Sequence, residues 1–142
     1  MARPKDYRDL IVWRKAMGLA RSAYAVTADL PRKEFYGLVA QMGRAAVSIP
    51  SNIAEGHGRL TDSQFRHFLG NARGSLCELQ TQKELASGLG YIEKQTFRSL
   101  IEQSAEVARL INGLIASLHH GGAETSTANS ASTANSAHEE RH

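Results

Sequence analysis

AAVSIPSNIAEGHGR, residues 45–59, places a proline inside an otherwise helical pattern. Ala45, Ile49 and Ile53 recur at every fourth residue, the spacing of one helix face. Pro50 has no N–H to donate to the carbonyl of Ala46, and its ring presses on that carbonyl. Ile53 still keeps the apolar phase, so the pattern predicts a kink in a continuing helix rather than a stop. Ser51 and Asn52 stand where their side chains can serve the loosened backbone, and Gly56 and Gly58 end the helix. Glu55 lies in the last turn, where the helix dipole disfavours an anion. A carboxylate there needs a cation, and Arg44, Arg59 and Arg73 are the candidates. The expected outcome is an ion pair holding the second helix to the third, with Pro50, Asn52, Glu55 and Gly56 as structural residues.

Outward from this stretch the same periodicity continues. The second helix starts near Phe35 and carries Leu38, Met42, Ala45, Ile49 and Ile53 on one side. Before it, Leu10, Trp13, Met17, Ala20, Tyr24 and Thr27 alternate by three and four and form the stripe of a first helix. Trp13, in that stripe, is assigned to the core. Ile11, Val12, Leu19 and Val26 fall outside the stripe, so this helix is apolar on more than one side. A lone bundle needs one apolar face per helix, and the surplus predicts a second burial surface, most simply another subunit.

TDSQ at 61–64 matches a capping box with Thr61 as the cap. A third helix follows through Phe65, Phe68, Leu69, Ala72, Leu76, Leu79 and Ala86. GLGY at 88–91 breaks the chain. A fourth helix carries Phe97, Leu100, Ile101, Val107, Ala108, Ile111, Leu114 and Leu118, and ends at His119 and His120. Four helices with short connections predict an all-α, antiparallel up-down-up-down four-helix bundle over residues 1–120. Residues 121–142 repeat STANSA in tandem and contain no large apolar side chain, so they are expected to form a disordered low-complexity tail.

Several function classes are disfavoured. Cys77 is the sole cysteine, which excludes an internal disulfide or a cysteine-based zinc site, and it is expected as a small residue at a helix interface. The first residues are charged, no apolar signal core follows, and no run approaches the roughly 18 apolar residues of a membrane span. A soluble, cytoplasmic chain with no membrane partner is expected. No nucleophile, base and orienting group occur at workable spacing, so neither catalytic residues nor metal ligands nor a cofactor are assigned.

Charge is unevenly spread. Residues 1–73 hold 12 Lys/Arg against 6 Asp/Glu, whereas residues 74–120 hold 4 against 5. A basic half permits a polyanionic partner. Arg59, Arg66 and Arg73 are spaced by seven and line up if helical geometry reaches back to Arg59; such a row can follow a phosphate backbone. Arg14, Lys15 and Arg21 form a second cluster on the first helix, and Arg44 lies on the second. These seven are the candidate nucleic-acid contacts. The alternative is ion pairing, within the chain or between subunits, in a protein-interaction scaffold.

DLIVWRKAMGLA (9–20), AAVSIPSNIAEGHGR (45–59) and ARGSLCELQT (72–81) resemble, in order, the three signature blocks of the four helix bundle proteins, also called 23S rRNA-intervening-sequence proteins. The resemblance spans roughly residues 6–118. It implies an antiparallel four-helix bundle assembling as a homopentameric ring, with no catalytic residues to carry over. The chain is also similar to the accessory variability determinant of diversity-generating retroelements, a basic pentamer that binds nucleic acid and a reverse transcriptase. RNA or DNA, and a protein partner, are therefore the partners the resemblance implies. Two positions depart from the pattern: Gly43-Arg44 stands where two basic residues are common, and His57 where an aromatic residue is common.

Overall fold

In the computed structural model, residues 3–130 are described, with side chains to Leu118. They are all-helical, with four long helices: α1 Ile11–Ala28, α2 Ala40–His57, α3 Asp62–Gly88 and α4 Lys94–Ser130. A 3-10 turn at Tyr7–Asp9 precedes α1, and a second at Arg32–Glu34 leads into a π-helical turn, Phe35–Val39, ahead of α2. Each helix packs on the next in sequence, and α4 also packs on α1. The core lies between them, with Leu19, Met42, Ile49, Phe65, Leu76 and Ile111 among its fully buried side chains. No helix of the described residues is long and apolar enough to cross a membrane.

The core face of α1 differs from the expected one. Val12, Ala16, Leu19, Ala23 and Val26 are buried, at intervals of four and three. Of the expected stripe, Leu10, Ala20 and Thr27 are buried, whereas Trp13 and Met17 are half-buried and Tyr24 is 53% exposed. Both sets satisfy helical spacing. Only the neighbouring helices decide which side chains face fully inward, and here the smaller ones do.

The second helix starts later than Phe35. Gly37, at φ −103° and ψ −107°, interrupts the helical course, and the Glu34 carboxylate accepts from the N–H of Leu38 at 3.3 Å. That break leaves Phe35 58% exposed, whereas Leu38 is buried. From Ala40 the helix runs through Pro50 to His57. Gly56 does not stop it. A Cβ on Gly56 would meet the Phe68 Cβ at 2.7 Å and the Phe65 carbonyl at 3.3 Å, so this glycine permits close packing of α2 on α3.

At the start of α3, Thr61 Oγ1 accepts from the N–H of Gln64 at 3.1 Å, as a cap should. The chain leaves α3 through Gly90, whose φ of +82° is one that L side chains rarely adopt. Lys83 interrupts the α3 core face: it is 5% exposed, with Nζ 4.9 Å from the centre of the Phe97 ring and 3.7 Å from Glu84. Its alkyl stem fills the apolar layer while the ammonium reaches the edge. Cys77 is exposed rather than held at a helix interface. The fourth helix passes the end expected at His120 and reaches Ser130. Extending a formed helix costs far less than starting one, and no proline intervenes. The remainder of the expected tail, 131–142, lies outside the described residues.

Candidate nucleic-acid interface

The basic residues divide according to what they touch. On α1, Arg14 donates from Nε to the Arg8 carbonyl at 2.8 Å and stands 3.4 Å from Asp9, while Lys15 lies 3.5 Å from Glu106 of α4. All four charged side chains of these two pairs are substantially exposed, so each pair contributes at most about 1 kcal/mol and can be exchanged for another anion. Arg21 and Arg44, on the outer sides of α1 and α2, have no carboxylate within 4 Å among the described residues.

The row Arg59, Arg66 and Arg73 is not one line. α3 begins at Asp62, which leaves Arg59 in the preceding turn. There Arg59 donates to the Glu55 carboxylate at 2.8 Å and lies 4.6 Å above the Phe68 ring. The partner of Glu55 is therefore four residues on, not on the third helix, and the tie to α3 is the stacking of Arg59 on Phe68. Neither Arg44 nor Arg73 reaches Glu55. Arg66 and Arg73 do share α3, seven residues or about 10 Å of rise apart. Arg73 donates to the Asn112 side-chain oxygen at 2.8 Å. Arg66 is half-buried, and its Nε is shut from solvent without a hydrogen-bond partner.

The polar row of the opening stretch joins α2 to α3 at a different point. Asn52 Nδ2 donates at 2.9 Å to both the carbonyl and the hydroxyl of Ser48, and the Ser48 hydroxyl lies 2.7 Å from that of Ser75. Ser51 is exposed and takes no part. Pro50 is buried, and Trp13 stacks edge-on against Tyr7 at 5.2 Å.

Some contacts had no obvious sequence signal. The N-terminal segment is pinned across the α2–α3 turn: Arg3 pairs with Asp62 and lies over the Phe65 ring, and the His57 ring nitrogen Nε2 is 2.6 Å from the Pro4 carbonyl. Nearby, hydrogen bonds from the Arg8 side chain and backbone hold the Asp6 carboxyl below its ordinary value. At the other end, Tyr91 donates to the Glu34 carboxylate at 3.0 Å. Desolvation, followed by that anion, pushes the Tyr91 phenol up. Lys83 could have been noticed, since Leu76, Leu79, Lys83 and Ala86 keep one helical phase.

Among the described residues no three of His, Cys, Asp or Glu gather as a metal ion would require. The arrangement is a set of guanidinium and ammonium groups, most of them exposed, on α1, α2, α3 and the turn before α3, several without a carboxylate partner among the described residues. Chemically, it can engage anions.

None of the curated proteins matches the chain. Among solved structures it is similar to a protein of unknown function from the S23 ribosomal protein family of Bacteroides thetaiotaomicron VPI-5482. The two are 23% identical with a TM-score of 0.69, over 74% of this chain and 98% of that one. At that identity the likeness shows the fold. The model of the 23S rRNA-intervening sequence protein family matches residues 8–113. With the match covering most of the chain and all three signature blocks, the chain belongs to the 23S rRNA-intervening sequence protein family.

Proposed function

We propose that this chain is a non-enzymatic, homo-oligomeric nucleic-acid-binding protein of the cytoplasm. In this proposal it is an up-down-up-down bundle that assembles as a ring of five and binds RNA weakly and with little sequence preference. The antiparallel course is supported by the order of contacts between each pair of helices: Ser48 meets Ser75 and Gly56 meets Phe68, Arg73 meets Asn112 and Lys83 meets Phe97, and Lys15 meets Glu106 while Ser22 meets Gln103.

One observation carries the nucleic-acid reading. Of the 12 cations in residues 1–73, Lys5, Arg21, Arg32, Lys33, Arg44, Arg66 and Arg73 have no carboxylate within 4 Å among the described residues. No single patch is dense, so useful affinity requires several copies acting together. Phosphate contacts release counterions, and log K then falls linearly with log salt concentration.

The test is a salt series of fluorescence-anisotropy titrations with single-stranded RNA and duplex DNA. Arg66→Gln with Arg73→Gln should flatten the slope by roughly 1 for each phosphate no longer neutralised, with the oligomer unchanged. Absence of binding to either nucleic acid at low salt would leave the second reading, a protein-interaction scaffold without nucleic acid. That reading is favoured by Arg59 and Arg73, which already have partners inside the chain.

A further inference from the structure

An apolar trough runs between α1 and α2, with Tyr24 at its middle. One hollow of about 640 Å³ extends past Met17, Trp13 and Pro50, and a second of about 580 Å³ past Val47, Val39 and Tyr36. Tyr24 is 53% exposed and Tyr36 is 90% exposed, so half of the first and nearly all of the second remain uncovered by the chain itself. Apolar surface this continuous is uncommon on a protein that stays alone in water. Arg21 borders the first hollow and Arg44 the second, both without a carboxylate partner among the described residues.

The outer side of α3 is its complement. Gly74, Glu78, Thr81 and Leu85 recur at intervals of four and three, so they share one face, and all are exposed. Glu78 has no cation within 4 Å among the described residues. A Cβ on Gly74 would meet nothing within 4 Å, which leaves room for a ring from outside. Leu85 is 54% exposed and Leu89, at the end of the helix, 51%.

We infer that the α1–α2 trough of one copy is covered by the outer face of α3 of a second copy. Leu85 enters the trough, the aromatic rings lie against the glycine side of α3, and Arg21 and Arg44 face Glu78. Charge complementarity within the chain favours a second copy over a foreign protein: Arg21 and Arg44 at the trough and Glu78 on the outer face of α3 all lack an oppositely charged partner within 4 Å among the described residues. Because the two faces differ, the contact is head-to-tail, and repetition with a fixed rotation closes a ring. The assignment rests on the homo-oligomeric reading above. It withdraws Arg21 and Arg44 from phosphate contact and leaves that role to the other unmatched cations.

The sole cysteine makes the contact testable in the full chain. Cys77 is exposed on α3, next to Glu78. Val47→Cys adds a second thiol in the trough. A short bismaleimide should then join the copies into a covalent ladder on a denaturing gel, while wild type and Val47→Cys/Cys77→Ser give none. Should the trough thiol disturb assembly, Tyr36→Cys at the trough edge replaces it. Arg44→Glu should weaken association by about tenfold, and added Glu78→Arg should restore it. Cross-linking of Val47→Cys/Cys77→Ser to itself would mean that two troughs meet, which overturns the assignment. An intact oligomer in which the introduced trough thiol does not cross-link to Cys77 would overturn the assignment and leave the oligomeric reading standing. A monomeric wild type in light scattering would overturn both.

Discussion

Gly56 of α2 and Phe68 of α3 approach so closely that a Cβ on the glycine would stand 2.7 Å from the Phe68 Cβ. Atoms fixed to the α3 backbone form this wall, and they cannot swing aside as the tip of a flexible side chain would. Alanine is the better helix former by up to about 1 kcal/mol, but here it must push two helices apart.

Gly56→Ala should therefore destabilise the fold, by about 1–3 kcal/mol from overpacking. Urea unfolding followed by circular dichroism measures this. A gain in stability would mean that helix propensity outweighs the clash.

Ser48, Asn52 and Ser75 act as one unit between α2 and α3. Ser48→Ala should cost about 1 kcal/mol, because it leaves two part-buried polar groups short of a partner. The double variant Ser48→Ala/Ser75→Ala should cost clearly less than the sum of the single variants, since the partners are removed together. Additive losses in a double-mutant cycle would show that the hydroxyls do not share a bond in solution.

Glu55 should matter less than its place in the sequence suggests. Its ion pair with Arg59 has side chains 54% and 42% exposed, four residues apart. Pairs of that kind contribute about 0.3–0.5 kcal/mol. Glu55→Ala should shift the denaturation midpoint by a correspondingly small amount. Arg59→Ala should shift it more, because it also removes the stacking on Phe68.

The Tyr91–Glu34 contact has a defined pH signature. The folded phenol has its pKa raised above the ordinary 10.0 by desolvation and by the Glu34 carboxylate. A group whose folded pKa is raised contributes stability that is fully present below its unfolded pKa. That contribution is lost as pH climbs through the folded value. Stability should therefore fall more steeply above pH 10 in wild type than in Tyr91→Phe. Glu34→Gln should bring the phenol closer to its ordinary value in an ultraviolet titration, with desolvation still holding it somewhat up.

Much of the fold could be read from residue order. The spacing of Leu38, Met42, Ile49 and Ile53 placed one face of the second helix and its leading turn in the core, and there those residues lie. Thr61 and Gln64 marked the start of α3, and the cap forms between them. Both signals are local, set by helical repeat and by a bond between near neighbours. The candidate site was less legible. Arg59, Arg66 and Arg73 are evenly spaced in sequence, yet a helix boundary falls between the first two. Spacing has geometric meaning only inside one continuous element.

By itself the sequence determined four helical segments, most of their boundaries, and the excess of positive charge in the first 73 residues. These follow from periodicity, capping chemistry and composition, none of which requires a neighbour. Tertiary structure alone decided which side chains of the broad apolar arc of α1 turned fully inward and which stayed at its rim. Val12, Leu19 and Val26 and the stripe of Trp13, Met17 and Tyr24 have equal claim by spacing. Small side chains against α2 and α4 let the helices approach closely, which leaves the bulky rings at the rim. It also decided the meaning of Gly56, which looks like a helix stop and serves as a contact point. A glycine's role depends on what stands where its Cβ would be, and here that is Phe68, twelve residues away on another helix.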